Sequence, residues 1–131
     1  AAAGFAVDAV DIADAGLALA RRRAAELGLD IDWMTCDLDA GLPAARAGYD
    51  LIVVIRYLNR DLLRALPGRL TPGGYLVCEV HLETERSVVA PGELATLLPG
   101  LDVEALDEGI VTDPDGRPAA LARLVGRRPQ A

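Results

Sequence analysis

Two aspartates stand at the ends of short apolar runs. Asp11 follows Val10 within the run 6–12, and Asp37 follows Cys36 at the end of 31–36. A carboxylate at the end of a strand can accept two hydrogen bonds from a ribose-type diol, and one at the next strand end can accept from an exocyclic amine. The plainer roles are an acid favoured at the start of a helix for Asp11 and an ordinary loop acid for Asp37. Further along, Arg56 and Tyr57 follow the most apolar run of the chain, and Glu79 and His81 close the next one. A guanidinium at Arg56 can orient an anion through paired hydrogen bonds or form a structural ion pair. Glu79 can act as a base or fix a neighbouring loop. His81 is the sole histidine, and imidazole exchanges protons near neutral pH, but no partner residue is visible in the sequence. Tyr57 reads as a packed aromatic with a hydrogen-bonded hydroxyl. Asp8 lies inside its run and reads as a solvent-facing or sheet-edge residue.

The elements that must carry these residues alternate between strand and helix. The run 6–12 is followed by Asp14 as an N-cap and a helix with Leu17, Ala20, Ala24 and Leu27 on one stripe, stopped by Gly28. Ile31 to Cys36 is a second strand, and 41–48 is a connection containing Pro43. Tyr49 to Ile55 holds five consecutive aliphatic residues from Leu51, which predicts a central parallel strand covered on both faces. Asn59 caps a helix that buries Leu63, Leu66 and Leu70, with a break at Pro67 and Gly68. A turn at Pro72, Gly73 and Gly74 leads into a strand from Tyr75 to Val80, and a helix is expected from Pro91 to Leu98. Leu101 to Val111 and Ala119 to Val125 flank the turn sequence Asp113, Pro114, Asp115, Gly116 and predict an antiparallel hairpin, although 119–125 is also compatible with helix by propensity.

Composition bounds the function classes. The chain has 131 residues, 52% of them hydrophobic and 25% charged, enough for one globular domain. All 13 basic residues are arginine and the net charge is −7, which argues against an electrostatic grip on nucleic acid. Arg21, Arg22 and Arg23 point around a helix rather than along one face, so they read as a solvated surface. No run approaches a membrane span and the first residues lack the positive start of a signal peptide, so a cytoplasmic location is expected. Cys36 and Cys78 lack CxxC partners and read as buried free thiols. Ala1 in place of Met and the helix-like segment 1–5 suggest that a longer protein begins upstream.

Together these features give an α/β fold with ligands at the carboxyl ends of the strands. The sequence resembles the class I S-adenosylmethionine-dependent methyltransferases, especially small bacterial members of unassigned substrate. The resemblance lies in Val7 to Ile12 (VDAVDI), the helix ending at Gly28 and Leu29, Cys36-Asp37-Leu38, Tyr49 to Val54 (YDLIVV), Arg56-Tyr57-Leu58, Leu70 to Glu79 (LTPGGYLVCE), Pro91 to Leu94, Glu108-Gly109 and Ala122 to Val125. It implies a Rossmann-like methyltransferase fold with strand order 3-2-1-4-5-7-6 in the family's numbers, the last strand antiparallel, which makes 119–125 a strand. In that order Cys36 and Cys78 stand roughly 19 Å apart, beyond disulfide reach.

For the site, the resemblance implies that Asp11 binds the cofactor's ribose hydroxyls, Ile12 packs on adenine, and Asp37 with Leu38 meets the adenine edge. Ile55 and Arg56 would lie beside the methionine and methyl end. The cofactor is S-adenosyl-L-methionine, the acceptor a small molecule, and no metal, nucleic acid or membrane is called for. Arg56, Tyr57, Glu79 and His81 are the candidates for direct participation. The family's first strand and glycine-rich loop would precede Ala1, so the first strand is missing, and none of the 13 glycines forms a GxG cluster. Gly73-Gly74 is a turn and not a substitute. The segment 6–12 must then pair directly with 49–55 or leave a gap, and the 131 residues alone are expected to bind the cofactor weakly and to be inactive. A nicotinamide-dependent oxidoreductase would also place an acid at Asp11 but should continue with parallel strands. A degenerate cofactor-binding domain is a further alternative, and a phosphoacceptor receiver domain lacks its late lysine here.

Overall fold

The computed structural model describes residues 1–11, 14–38, 48–82 and 89–130. In chain order the elements are β1 (Val7–Asp11), α1 (Asp14–Glu26), β2 (Ile31–Thr35), β3 (Tyr49–Ile55), α2 (Arg60–Ala65), a 3-10 turn (Leu66–Arg69), β4 (Leu70–His81), α3 (Glu93–Thr96), β5 (Asp102–Thr112) and β6 (Pro118–Arg127). They fall into two compact units, 1–43 and 44–131, each with its own sheet.

In the first unit β1 and β2 pair in parallel, from Val7 opposite Ile31 to Asp11 opposite Thr35. The link between them is α1. Its end is set by Gly28, whose φ of 67° is left-handed. Gly28 N–H donates to the Ala25 carbonyl (3.1 Å) and Leu29 N–H to that of Ala24 (2.9 Å). These paired bonds satisfy the orphan carbonyls of the last turn. Of the expected stripe on α1, Leu17 and Ala24 are buried, while Ala20 and Leu27 are exposed. Arg21, Arg22 and Arg23 are all exposed, Arg21 over the Trp33 ring and Arg23 paired with Glu26.

The second unit is one mixed sheet in the order β3-β4-β6-β5. β3 and β4 are parallel, and β6 is antiparallel to both β4 and β5. The orders found, β1 with β2 and then β3-β4-β6-β5, match the 3-2 and 4-5-7-6 portions of the implied family order. The expected hairpin is present, with 119–125 as strand. β3, expected to be central, is an edge strand of its hydrogen-bonded sheet. Leu51, Val53 and Ile55 are 37%, 55% and 54% exposed. An unbroken aliphatic run records that both faces tolerate apolar side chains, but it does not specify the neighbours.

The core of this unit lies on one sheet face. Leu76, Cys78 and Val80 of β4 stand opposite Gly126, Leu124 and Ala122 of β6, and all six are buried. Leu62, Leu63 and Leu66 of α2 and the 3-10 turn, Leu94, Leu97 and Leu98 in and just after α3, Leu70 of β4 and Leu121 of β6 are buried as well. Asn59 caps α2 as expected, its Oδ1 accepting from Leu62 N–H at 3.0 Å. Pro67 ends the α-helical bonding and the chain tightens into the 3-10 turn. The expected turn at 72–74 is instead a distortion inside β4, with the β3–β4 register shifting between Tyr49 and Leu51. Gly74 permits it: a Cβ there would lie 2.9 Å from the Thr71 carbonyl oxygen and 3.1 Å from that of Tyr49. α3 covers only Glu93–Thr96 of the expected 91–98, starting from left-handed Gly92.

Arg60 and Glu93 tie α2 to α3 through two bonds, Nε to Oε2 at 2.6 Å and Nη2 to Oε1 at 3.1 Å. Hydrogen bonds from Arg60, and then from the Ala90 amide, bring the Glu93 carboxyl down to about 2 from an ordinary 4.5. A depressed carboxyl stabilises the fold above its unfolded value, and that contribution disappears as pH falls through the folded one. The slope of urea stability between about pH 4.5 and pH 2 should therefore be shallower in Glu93→Gln. Leu63 is 0% exposed, and Leu63→Ala should lower urea stability by about 2–5 kcal/mol, the range for cavity-forming truncations.

Candidate functional site

The carboxyl ends of β1 and β2 are level. Asp11 stands opposite Thr35, and the ladder continues one bond further, with Cys36 N–H donating to the Asp11 carbonyl at 2.9 Å. Asp37 is the next residue, so parallel pairing delivers two carboxylate-bearing positions to the same end of one two-stranded sheet. Both side chains are exposed, and Leu38 beyond them is half-buried. Ile12 lies outside the described residues. Cys36 is free and half-buried rather than fully buried, and Cys78 is free and buried.

At the carboxyl end of β3 the sheet bond extends by one residue, Arg56 N–H donating to the Glu79 carbonyl at 2.6 Å. The chain then turns through a left-handed residue, Arg56 at φ 55°, the only non-glycine with positive φ among the described residues. The guanidinium is held by carboxylates. Nη1 and Nη2 fork onto Asp113 Oδ2 and Oδ1 at 2.9 and 2.6 Å, and Nε donates to Glu79 Oε2 at 3.3 Å. Of the two roles open to Arg56, the structure shows the ion pair, and Glu79 acts as its second partner. The fork raises the Arg56 pKa above its usual value. In turn Arg56 holds the Asp113 carboxyl below the usual carboxylate range, with a smaller pull from His81.

His81 is exposed at the end of β4, opposite Leu121. Tyr57 is half-buried at the start of the loop to α2, and Ile55 is exposed on the face shared with Leu51 and Val53. Within unit 44–131, Arg56, Glu79 and Asp113 therefore belong to one cluster, and His81 closes the strand that carries Glu79. Sequence reasoning assigned Asp113 only to a turn. The missing signal was hairpin overhang. β4 ends at His81 opposite Leu121, which pairs with Gly109, and the hairpin runs on through Thr112 opposite Pro118, bringing its turn to Arg56.

The family model described as "Methyltransferase domain" matches residues 1–74, more than half of the chain. The chain belongs to the methyltransferase domain family. No curated protein sequence matches it significantly. Among solved structures, TehB from Haemophilus influenzae is similar at TM-score 0.75 and 17% identity, the match covering 95% of this chain and 50% of TehB. The chain thus spans half of that protein's length. The [4+2]-cyclase SpnF matches at TM-score 0.75 and 15% identity, over 97% of this chain and 67% of SpnF. The N-methyltransferase NodS from Bradyrhizobium japonicum WM9 matches at TM-score 0.71 and 19% identity, over 95% and 74%. A NodS structure in complex with S-adenosyl-L-homocysteine matches at TM-score 0.69 and 20% identity, over 95% and 67%. These likenesses establish the Rossmann-like methyltransferase fold.

The cluster predicts its own titration. Followed by carbon-detected NMR, the Asp113 carboxyl should titrate below the ordinary carboxylate range, and in Arg56→Ala its midpoint should rise toward that range. Because the folded value is the lower one, the pair's contribution to stability is present above that range and is lost as pH falls.

Proposed function

We propose that this domain binds S-adenosyl-L-methionine and serves methyl transfer to a small-molecule acceptor. The observation that carries the reading is the pair Asp11 and Asp37 at adjacent carboxyl ends of parallel strands, in a chain of the methyltransferase domain family. The donor set fits the group. Asp11 can accept from both ribose hydroxyls and Asp37 from the adenine amine. By the family resemblance, Ile12 and Leu38 would contact the ring, and Ile55 and Arg56 would be the candidates for the methionine and methyl end. When bound, the cofactor supplies a methyl group already activated on a sulfonium.

What the protein adds is alignment of donor and acceptor, which alone accounts for large accelerations in such reactions. A general base is needed only for acceptors that must lose a proton. Tyr57, Glu79 and His81 are the candidates for contacting such an acceptor. The net charge of −7 favours a small molecule over nucleic acid as partner. Among the described residues no helix is long and apolar enough to cross a membrane. We place the protein in a bacterial cytoplasm, in line with its resemblance to small bacterial members of the family.

A second reading keeps the cofactor and drops the methyl transfer. It is favoured by the likeness to SpnF, a structure named for a [4+2] cyclisation, since one fold hosts several chemistries.

Titration of the 15N-labelled chain with S-adenosylhomocysteine tests cofactor binding and can report weak affinity. Shifts should centre on Asp11, Asp37 and Leu38, and Asp11→Asn should weaken binding roughly tenfold or more, the loss associated with a hydrogen bond to a charged acceptor. Shifts that ignore Asp11→Asn would overturn the assignment.

A further inference from the structure

We propose that Asp113 is a positioning residue. From the turn of the β5–β6 hairpin it fixes, through the Arg56 guanidinium, the left-handed backbone by which the chain leaves β3.

Arginine is a poor occupant of that conformation. For a residue with a Cβ, the left-handed region is disfavoured about five- to thirtyfold, and only Gly, Asn and Asp visit it routinely. At φ 55°, Arg56 must therefore be held by its surroundings. Its bonds run to two residues. The backbone N–H and Nε anchor it to Glu79 on β4, while both terminal nitrogens fork onto Asp113. Asp113 is itself fixed, its N–H donating to the Arg117 carbonyl at 2.9 Å and its carbonyl accepting from Gly116 N–H at 2.8 Å. A rigid turn thus grips Arg56 from the hairpin while Glu79 holds it from β4.

This matters because the following loop is short. Between Ile55 and Arg60 only residues 56–59 intervene, and the far end is pinned by the Asn59 cap. With Arg56 fixed as well, the course of Tyr57 and Leu58 is set from both sides. In an α/β sheet ligands bind outside the carboxyl ends of the strands, where this loop begins. The effect on ligand binding rests on the cofactor reading above, whereas the coupling of Asp113 to the Arg56 backbone does not.

The experiment uses the full chain and a double-mutant cycle of Asp113→Ala and Arg56→Gly, read by urea denaturation and by NMR titration with S-adenosylhomocysteine. Without Asp113 the left-handed residue loses its restraint, so Arg56→Gly should favour the folded state about fivefold more in the Asp113→Ala background than in wild type. The residue 56 Cα and amide shifts should move in Asp113→Ala and return in part in Asp113→Glu. Asp113→Ala should weaken S-adenosylhomocysteine binding several-fold, and the double variant should regain part of it. Glu93→Ala, which breaks the Arg60 fork elsewhere in the same unit, should lower stability without changing that affinity. An additive cycle with unmoved residue 56 shifts overturns the proposal, as does equal loss of affinity in Glu93→Ala. If the wild-type chain shows no shifts with S-adenosylhomocysteine, the cofactor reading fails, and the cycle still decides whether Asp113 positions Arg56.

Discussion

Unit 44–131 depends on β4 being hydrogen-bonded along both edges, parallel to β3 and antiparallel to β6. Over Tyr75–Glu79, where both ladders run, the backbone donors and acceptors of β4 are taken up by its neighbours, and its alternate side chains can be fully buried. Leu76, Cys78 and Val80 are at most 1% exposed, and burial is the main cause that pushes the Cys78 thiol up to about 12. The thiolate is the reactive form of cysteine, so such a thiol is a packing group and not a nucleophile. The same double pairing also sets the site. Parallel register sets Ile55 opposite Glu79, so that Arg56 N–H reaches the Glu79 carbonyl, and antiparallel register carries the hairpin turn past His81 to meet Arg56.

Elements were legible where local chemistry alone specified them. Asn59 caps α2 because its side chain answers a local backbone donor, Gly28 stops α1 because the left-handed turn suits glycine, and Asp113 to Gly116 turn the hairpin through short-range bonds. The bounds of β3 could be read from its aliphatic run for the same reason. What covers β3 could not, because periodicity reports the chemistry of a face and is silent on the partner. The shortness of α3 and the distortion within β4 at Gly74 were not legible. In the first case Pro91 and Gly100 bracket a segment that is helical only in its middle. In the second a glycine pair that reads as a turn lets the chain stay in the sheet while three carbonyl oxygens crowd it.

The candidate residues at the ends of β1 and β2 and those around Arg56 differ in legibility for the same physical reason. Asp11 closes β1 and Asp37 lies two residues past β2, so strand assignment was enough to place them at the same end of a parallel pair. Arg56 and Asp113 are 57 residues apart, and their fork exists only once strand order and register are known. No composition or spacing rule joins an arginine after one strand to an aspartate in a distant turn. Glu79 lies between these cases: its place at a strand end was visible, but its service to Arg56 followed from the register.

The fork also bears on what an acceptor can be. A free arginine at the end of β3 would suit a carboxylate or phosphate, since its planar donors match such groups two at a time. Here those donors already face Asp113 and Glu79, so an anionic acceptor would have to displace a carboxylate that is covalently part of the fold and held in a rigid turn. A tethered partner competes at high effective concentration against a free one. An acceptor that takes no bond from Arg56 avoids that competition. For methyl transfer this is sufficient, because the chemistry asks the protein for alignment more than for charge. Under the proposed function the ion pair would serve the reaction by keeping the loop at 56–59 in one place, and acceptor recognition would fall to other groups, with Tyr57 and His81 the candidates.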